Sequence, residues 1–138
     1  MENSIALPVY WDEKYIICSL YYLIAASDYI IKKEEVAVID QKMEHLLLHS
    51  YQLSLDKKES IMAEALSFIN KANDQQKMEA IRLFSSKVVL PEELYVEMLH
   101  SMEAIALADG NISIEEHSLM YYVKLKFKKS ATTRLVYS

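Results

Sequence analysis

Residues 104–117, AIALADGNISIEEH, decide the fold, because a relative of this stretch stands earlier in the chain at residues 23–36, LIAASDYIIKKEEV. At a constant offset of 81 residues, Ile24 aligns with Ile105, Ala25 with Ala106, Asp28 with Asp109, Ile31 with Ile112, and Glu34-Glu35 with Glu115-Glu116. Each copy reads as an apolar helix, an Asp, a short turn with one inward Ile, and two acids in the first turn of the next helix. Repetition of a whole helix-turn-helix unit marks an internal repeat. It predicts two pseudo-twofold-related helical hairpins, at about 12–50 and 91–127, within one compact all-α bundle of about six helices.

Composition points the same way. The 138 residues include one Gly and two Pro and are 52% apolar, so the chain lacks the turn residues that hairpins, barrels and sandwiches need. The length suits a single domain, 1–138, with a real core. Asp12 caps a first helix running to about Ser27. A second helix carries Val36, Ile39, Met43, Leu46 and Leu47 on one stripe. Ser54 or Asp56 opens a third, with Ile61, Ala65, Leu66 and Ile69 inward. Asn73 or Asp74 caps a fourth, with Met78, Ile81 and Phe84 inward. Pro91 suits the first turn of a fifth, where its missing N–H is not needed, and Leu94, Met98, Ile105 and Ala108 lead that helix to Asp109. Ser113 opens a sixth that ends near Phe127, and residues 128–138, KKSATTRLVYS, form a short tail without period.

The start, MENSIALPVYWDEK, has neither a basic n-region nor a small-residue cleavage site, so no signal peptide is expected. The apolar run Tyr15–Ala26 falls short of the ~20 residues that span a bilayer and reads as a helix apolar all round, buried mid-bundle. The lone Cys18 sits in that run, which fits a core role and a reducing, cytoplasmic setting. A net charge of −5 opposes nucleic-acid binding. With one glycine there is no phosphate-binding Gly-rich loop, and no G-x-S-x-G elbow occurs. No enzyme and no organic cofactor are expected.

The paired acids carry the chemistry. In each copy an Asp lies where helix C-terminal carbonyls point and two Glu open the next helix, a set of oxygens that hard divalent cations select. The competing reading is capping: Ser113-x-x-Glu116 is a capping box, and acids near a helix N-terminus also suit its dipole. In the first copy Lys32 replaces Ser113, so Glu35 is expected to have no reciprocal box to complete. DGNISIEE also has the spacing of the back half of an EF-hand loop, but Ile105 and Leu107 stand where its first side-chain ligands belong.

The pattern of an apolar helix followed by A-D-G-x-I-S-x-E-E, with a variant of itself in the first third of the chain, resembles the TerB-like tellurite-resistance domain. That domain also occurs in some membrane-anchored DnaJ-type co-chaperones. Tyr29 and Lys32 stand where the family usually has Gly and often has Ser or Thr. The resemblance implies an all-helical domain with acidic pockets for a divalent metal, working in stress-response assemblies through protein partners, with peripheral contact to a membrane-associated partner among them. By it, Asp28, Glu35, Asp109 and Glu116 are metal-site residues, with Glu34 and Glu115 as neighbours. The ion expected is Ca²⁺, Mg²⁺ or Mn²⁺ rather than Zn²⁺. The alternative function is a metal-independent interaction scaffold in which the acids only cap helices. Oligomeric state is left open.

Three other constellations stand out. His45-x-x-x-His49 puts two imidazoles on one helix face, half of a zinc site. Glu97-x-x-His100 has di-iron spacing without the second copy that architecture needs. Tyr21, Tyr22, Tyr29, Tyr121 and Tyr122 fit core packing or an aromatic docking patch, and Lys124–Lys129 a solvated helix end or an acidic-surface contact.

Overall fold

The computed structural model describes residues 5–27, 30–108 and 110–137, with side chains as far as Phe127. The helices are α1 (Glu13–Ala25), α2 (Lys33–His45), α3 (Lys58–Lys71), α4 (Asp74–Lys87), α5 (Glu92–Ala106) and α6 (Ile114–Tyr137). A π-helical turn, Leu46–Ser50, prolongs α2, and a 3₁₀ turn, Leu55–Lys57, leads into α3. Among the described residues no strand occurs, so the all-α architecture stands.

α1 is the axle. The Asp12 side chain caps it by accepting from the Lys14 N–H at 3.2 Å, and every residue from Ile16 to Ala25 is buried. Its most extensive contacts are with α3, then α5 and α2, and it also touches α4 and α6. A helix apolar on all faces has no other stable place in a domain of this size. Around it, Ile39, Met43, Leu46, Leu47, Ile61, Ala65, Ile69, Ile81, Phe84, Met98, Met102, Ile105, Val123 and Phe127 complete one core. Trp11 closes the base, stacked on Tyr15 at 5.4 Å and tilted against Phe68 at 5.1 Å. No helix among the described residues is long and apolar enough to cross a membrane.

Several expectations are corrected. Val36 is on the exposed side of α2, because the buried row is Glu35, Ile39 and Met43: a carboxylate occupies the inward place that the apolar stripe assigned to valine. Met78 is 39% exposed at the start of α4, where the inward row begins only at Ala80. Pro91 is the N-cap of α5 rather than its first helical residue, and α5 stops at Ala106 with Leu107 as C-cap. α6 continues through the segment expected as a tail, to Tyr137, since Lys, Ala, Arg and Leu favour helix and no Gly or Pro interrupts it.

α2 ends with a left-handed residue that is not glycine. Gln52 has φ 53°, and the turn is closed by Tyr51 N–H to Leu46 O at 3.2 Å and Leu53 N–H to Leu47 O at 2.7 Å. These bonds satisfy carbonyls that the end of a helix leaves open.

Candidate functional site

The first repeat turn opens where α1 ends. The Ala26 N–H donates to Tyr22 O at 2.8 Å, and the Ser27 hydroxyl donates to Ile24 O at 2.9 Å. α2 begins after Lys32, and Glu35 at its third position accepts the Lys32 N–H on Oε1 at 2.9 Å. Lysine has no acceptor to return the bond. The half of the box that the glutamate makes is present, and the half that needs an acceptor on residue 32 is not, so the box is one-sided rather than reciprocal. Glu35 is 1% exposed.

In the second turn the box is reciprocal. Ser113 N–H donates to Glu116 Oε1 at 2.7 Å, and Glu116 N–H donates to the Ser113 hydroxyl at 3.1 Å. Glu116 is 4% exposed. Gly110 makes the turn possible: its φ is 99°, and its N–H donates to Leu107 O at 2.9 Å. A Cβ added there would meet nothing within 4 Å, so glycine serves the backbone conformation and not a close approach.

A third turn, between α3 and α4, uses the same device. Asn73 N–H donates to Gln76 Oε1 at 2.9 Å, and Gln76 N–H donates to Asn73 Oδ1 at 2.8 Å. Asn73 is the cap that the sequence offers for this helix, and Asn73-x-x-Gln76 makes it a full capping box with amides for hydroxyl and carboxylate. All three turns gather at one end of the bundle. A cleft of about 320 Å³ is lined by Leu23 and Ser27 of the first, Asp74, Lys77 and Met78 of the third, and Ile114, Glu115 and Leu119 of the second. A neighbouring hollow of about 470 Å³ lies between Ala26 and Ile31 of the first turn and Asn70, Asn73 and Asp74 of the third.

The family model described as Tellurite resistance protein TerB matches residues 15–133. The chain belongs to the TerB family. No curated protein and no solved structure matches it.

Of the site residues that the TerB resemblance carries over, Glu35 and Glu116 occupy corresponding buried positions at the start of α2 and α6. Glu34 and Glu115 beside them are exposed, and Glu115 lines the cleft of about 320 Å³. Asp28 and Asp109, and with them Tyr29, lie outside the described residues. Among the described residues no group of three His, Cys, Asp or Glu stands ready as a metal-ligand set.

The remaining constellations divide by burial. Tyr21 and Tyr22 are core residues at 1% and 3% exposure, and burial pushes both phenols well above the usual tyrosine range. Tyr121 is 69% exposed. Burial likewise raises the Cys18 thiol far above its ordinary value, which leaves it protonated and inert. Within Lys124–Phe127, Phe127 is buried, Lys124 and Leu125 are exposed, and the Lys126 ammonium lies over the Tyr122 ring, 5.4 Å from its centroid. His100 is exposed, whereas Glu97 turns toward α2. There it meets His45 Nε2 at 3.1 Å and accepts from the Ser50 hydroxyl at 3.1 Å.

Proposed function

We propose that this TerB-family chain is a non-catalytic module that binds or senses a divalent cation through its paired acidic turns and acts through protein partners in tellurite resistance or a related stress response. One comparison within the fold supports this reading. Three helices begin with the same backbone cap, and in the α4 turn the residue at the third position is Gln76, half-buried. An amide therefore satisfies the cap as well as a carboxylate does. At the corresponding positions of the two acid turns stand Glu35 and Glu116, both almost wholly buried.

Burying a carboxylate is costly unless it is paired and hydrogen-bonded, and a helix N-terminus returns only about 0.3–1 kcal/mol. A carboxylate where an amide suffices points to a demand for charge. In Glu116 the cap uses one oxygen, Oε1, and a carboxylate has two, so a cap and a cation ligand are compatible in one residue. Asp28 and Asp109 precede these glutamates by seven residues in each copy and supply the further oxygens that Ca²⁺, Mg²⁺ or Mn²⁺ takes, with backbone carbonyls and water. Partner docking belongs to the same end of the bundle, where the cleft is lined mainly by apolar groups and Ile114 is 80% exposed.

The competing scaffold reading, in which the acids only cap, draws on the fact that both glutamates do cap. Amide chemical shifts separate the two. Titration with Ca²⁺, Mg²⁺ and Mn²⁺ is expected to move resonances around Ser27–Lys33 and Ala108–Ser113, and an Asp109→Asn, Glu116→Gln double variant removes the response of the second turn. If no ion at millimolar concentration perturbs either turn, the scaffold reading replaces this one.

A further inference from the structure

At the opposite end of α2 from the acid turns, two motifs that look unrelated in the sequence meet. His45 immediately precedes the π-helical turn, His49 lies within it, and Glu97 comes from α5. The imidazole rings of His45 and His49 stand 4.6 Å apart between centroids, tilted by 33°. Glu97 Oε1 lies 3.1 Å from His45 Nε2, and its other oxygen accepts from the Ser50 hydroxyl at 3.1 Å. All of this is open to solvent on one side: the His45 side chain is 57% exposed and that of Glu97 30%.

We propose that His45, His49 and Glu97 form a transition-metal site, separate from the acid turns, that takes Zn²⁺ with water in the fourth position. The donor set is two neutral imidazoles and one carboxylate, the type that borderline-soft divalent ions select and that hard Ca²⁺ or Mg²⁺ does not. With Zn–N and Zn–O bonds of roughly 2.0–2.2 Å, two ligands on a tetrahedral ion lie ~3.3–3.4 Å apart. The His45–Glu97 separation of 3.1 Å is a few tenths short of that, so a slight parting of the two side chains admits the ion. The three side chains do not converge on one point as they stand. The movement required is a turn of the His49 side chain, which is exposed and whose ring already adjoins His45.

The neighbouring parts suit the task. Ser50 holds the far oxygen of Glu97 and so fixes the carboxylate's orientation, as hydrogen bonds to metal-binding carboxylates commonly do. Ser50, at the end of the π turn, reaches α5 through Glu97, and such turns recur at functional sites. The site lies about 15 Å along the axis of α2 from Glu35, counted at 1.5 Å per residue, so an ion here is independent of one at the acid turns.

The test uses Zn²⁺ and Co²⁺ alone with the full chain. Calorimetry is expected to show one Zn²⁺ bound at micromolar concentration at pH 7.5. Co²⁺ is expected to give the visible absorption of a low-coordinate nitrogen-oxygen site. His49→Ala, on an exposed residue, and Glu97→Gln each weaken binding at least tenfold, while Asp109→Asn with Glu116→Gln leaves it unchanged. The proposal is overturned if Zn²⁺ fails to bind at 100-fold higher concentration, if either single variant binds like wild type, or if the acid-turn variant abolishes binding.

Discussion

Glu116 offers a substitution series whose outcomes diverge. Its side chain makes one strong bond, from Ser113 N–H at 2.7 Å, and is 4% exposed. Replacement by Ala removes the acceptor, leaves the Ser113 N–H without it and opens a small void. The cost expected is about 2–4 kcal/mol, a buried orphan donor at ~1–3 kcal/mol plus lost packing. Replacement by Gln keeps shape and acceptor, as Gln76 does in the α4 turn, and removes the buried charge. In metal-free buffer with chelator, Glu116→Gln is expected within about 0.5 kcal/mol of wild type or more stable, since a buried charge no longer has to be desolvated. Ser113→Ala, which deletes only the return bond at 3.1 Å, falls between, at about 1 kcal/mol. Urea unfolding followed by far-UV circular dichroism measures all three. Should Gln cost as much as Ala, the charge itself stabilises the metal-free fold, and the inference that capping alone needs no carboxylate is wrong.

Three further outcomes follow from backbone and titration. Gly110→Ala places a Cβ at φ 99° with open space around it, so backbone strain alone acts, and a loss of about 1–2 kcal/mol is expected in thermal melting. Gln52→Gly relieves the opposite situation, a side-chain-bearing residue at φ 53°, and is expected to stabilise by about 0.5–1 kcal/mol in the same assay. At alkaline pH the folded-state values of Tyr21, Tyr22 and Tyr51 are raised above 10.0, chiefly by burial. Lys58 is raised by its hydrogen bonds to Asp40 and Glu44. For all four, the unfolded chain releases its proton first, so their contribution is complete below about pH 10 and is lost as pH climbs beyond it. Stability measured from pH 8 to 11.5 is expected to fall steeply above 10, and less steeply for Tyr21→Phe.

The all-helical bundle and its hairpin repeat are legible in the sequence because period, scarce glycine and paired acids all act locally. α1 is the clearest case: a run apolar on every face has one fate, and the structure buries it whole. What local pattern misses is competition for a place. Val36 matched the apolar stripe of α2, but Glu35 takes the inward direction because its carboxylate must reach the Lys32 N–H. Asn73 was legible as a cap of α4, but the return bond from Gln76 was not, since an amide stood where an acid was sought. The meeting of His45 with Glu97 depends on how α2 and α5 pack, which no spacing within either helix encodes. At the acid turns the repeat aligns both glutamate pairs, the TerB resemblance singles out Glu35 and Glu116, and their burial is what the structure adds.

The central claim is that the two buried glutamates are charged for the sake of a cation. Thermal melting of wild type and of a Glu35→Gln, Glu116→Gln double variant, each with chelator and with Ca²⁺ or Mn²⁺, tests it most directly. A cation that binds only the native state adds about 2.7 kcal/mol at 100 times its Kd, which for a domain of this size is a rise of roughly 10 °C. The account predicts that rise in wild type and none in the variant, which melts at or above wild type when both are metal-free. An equal response of the two proteins, or none in either, would contradict it.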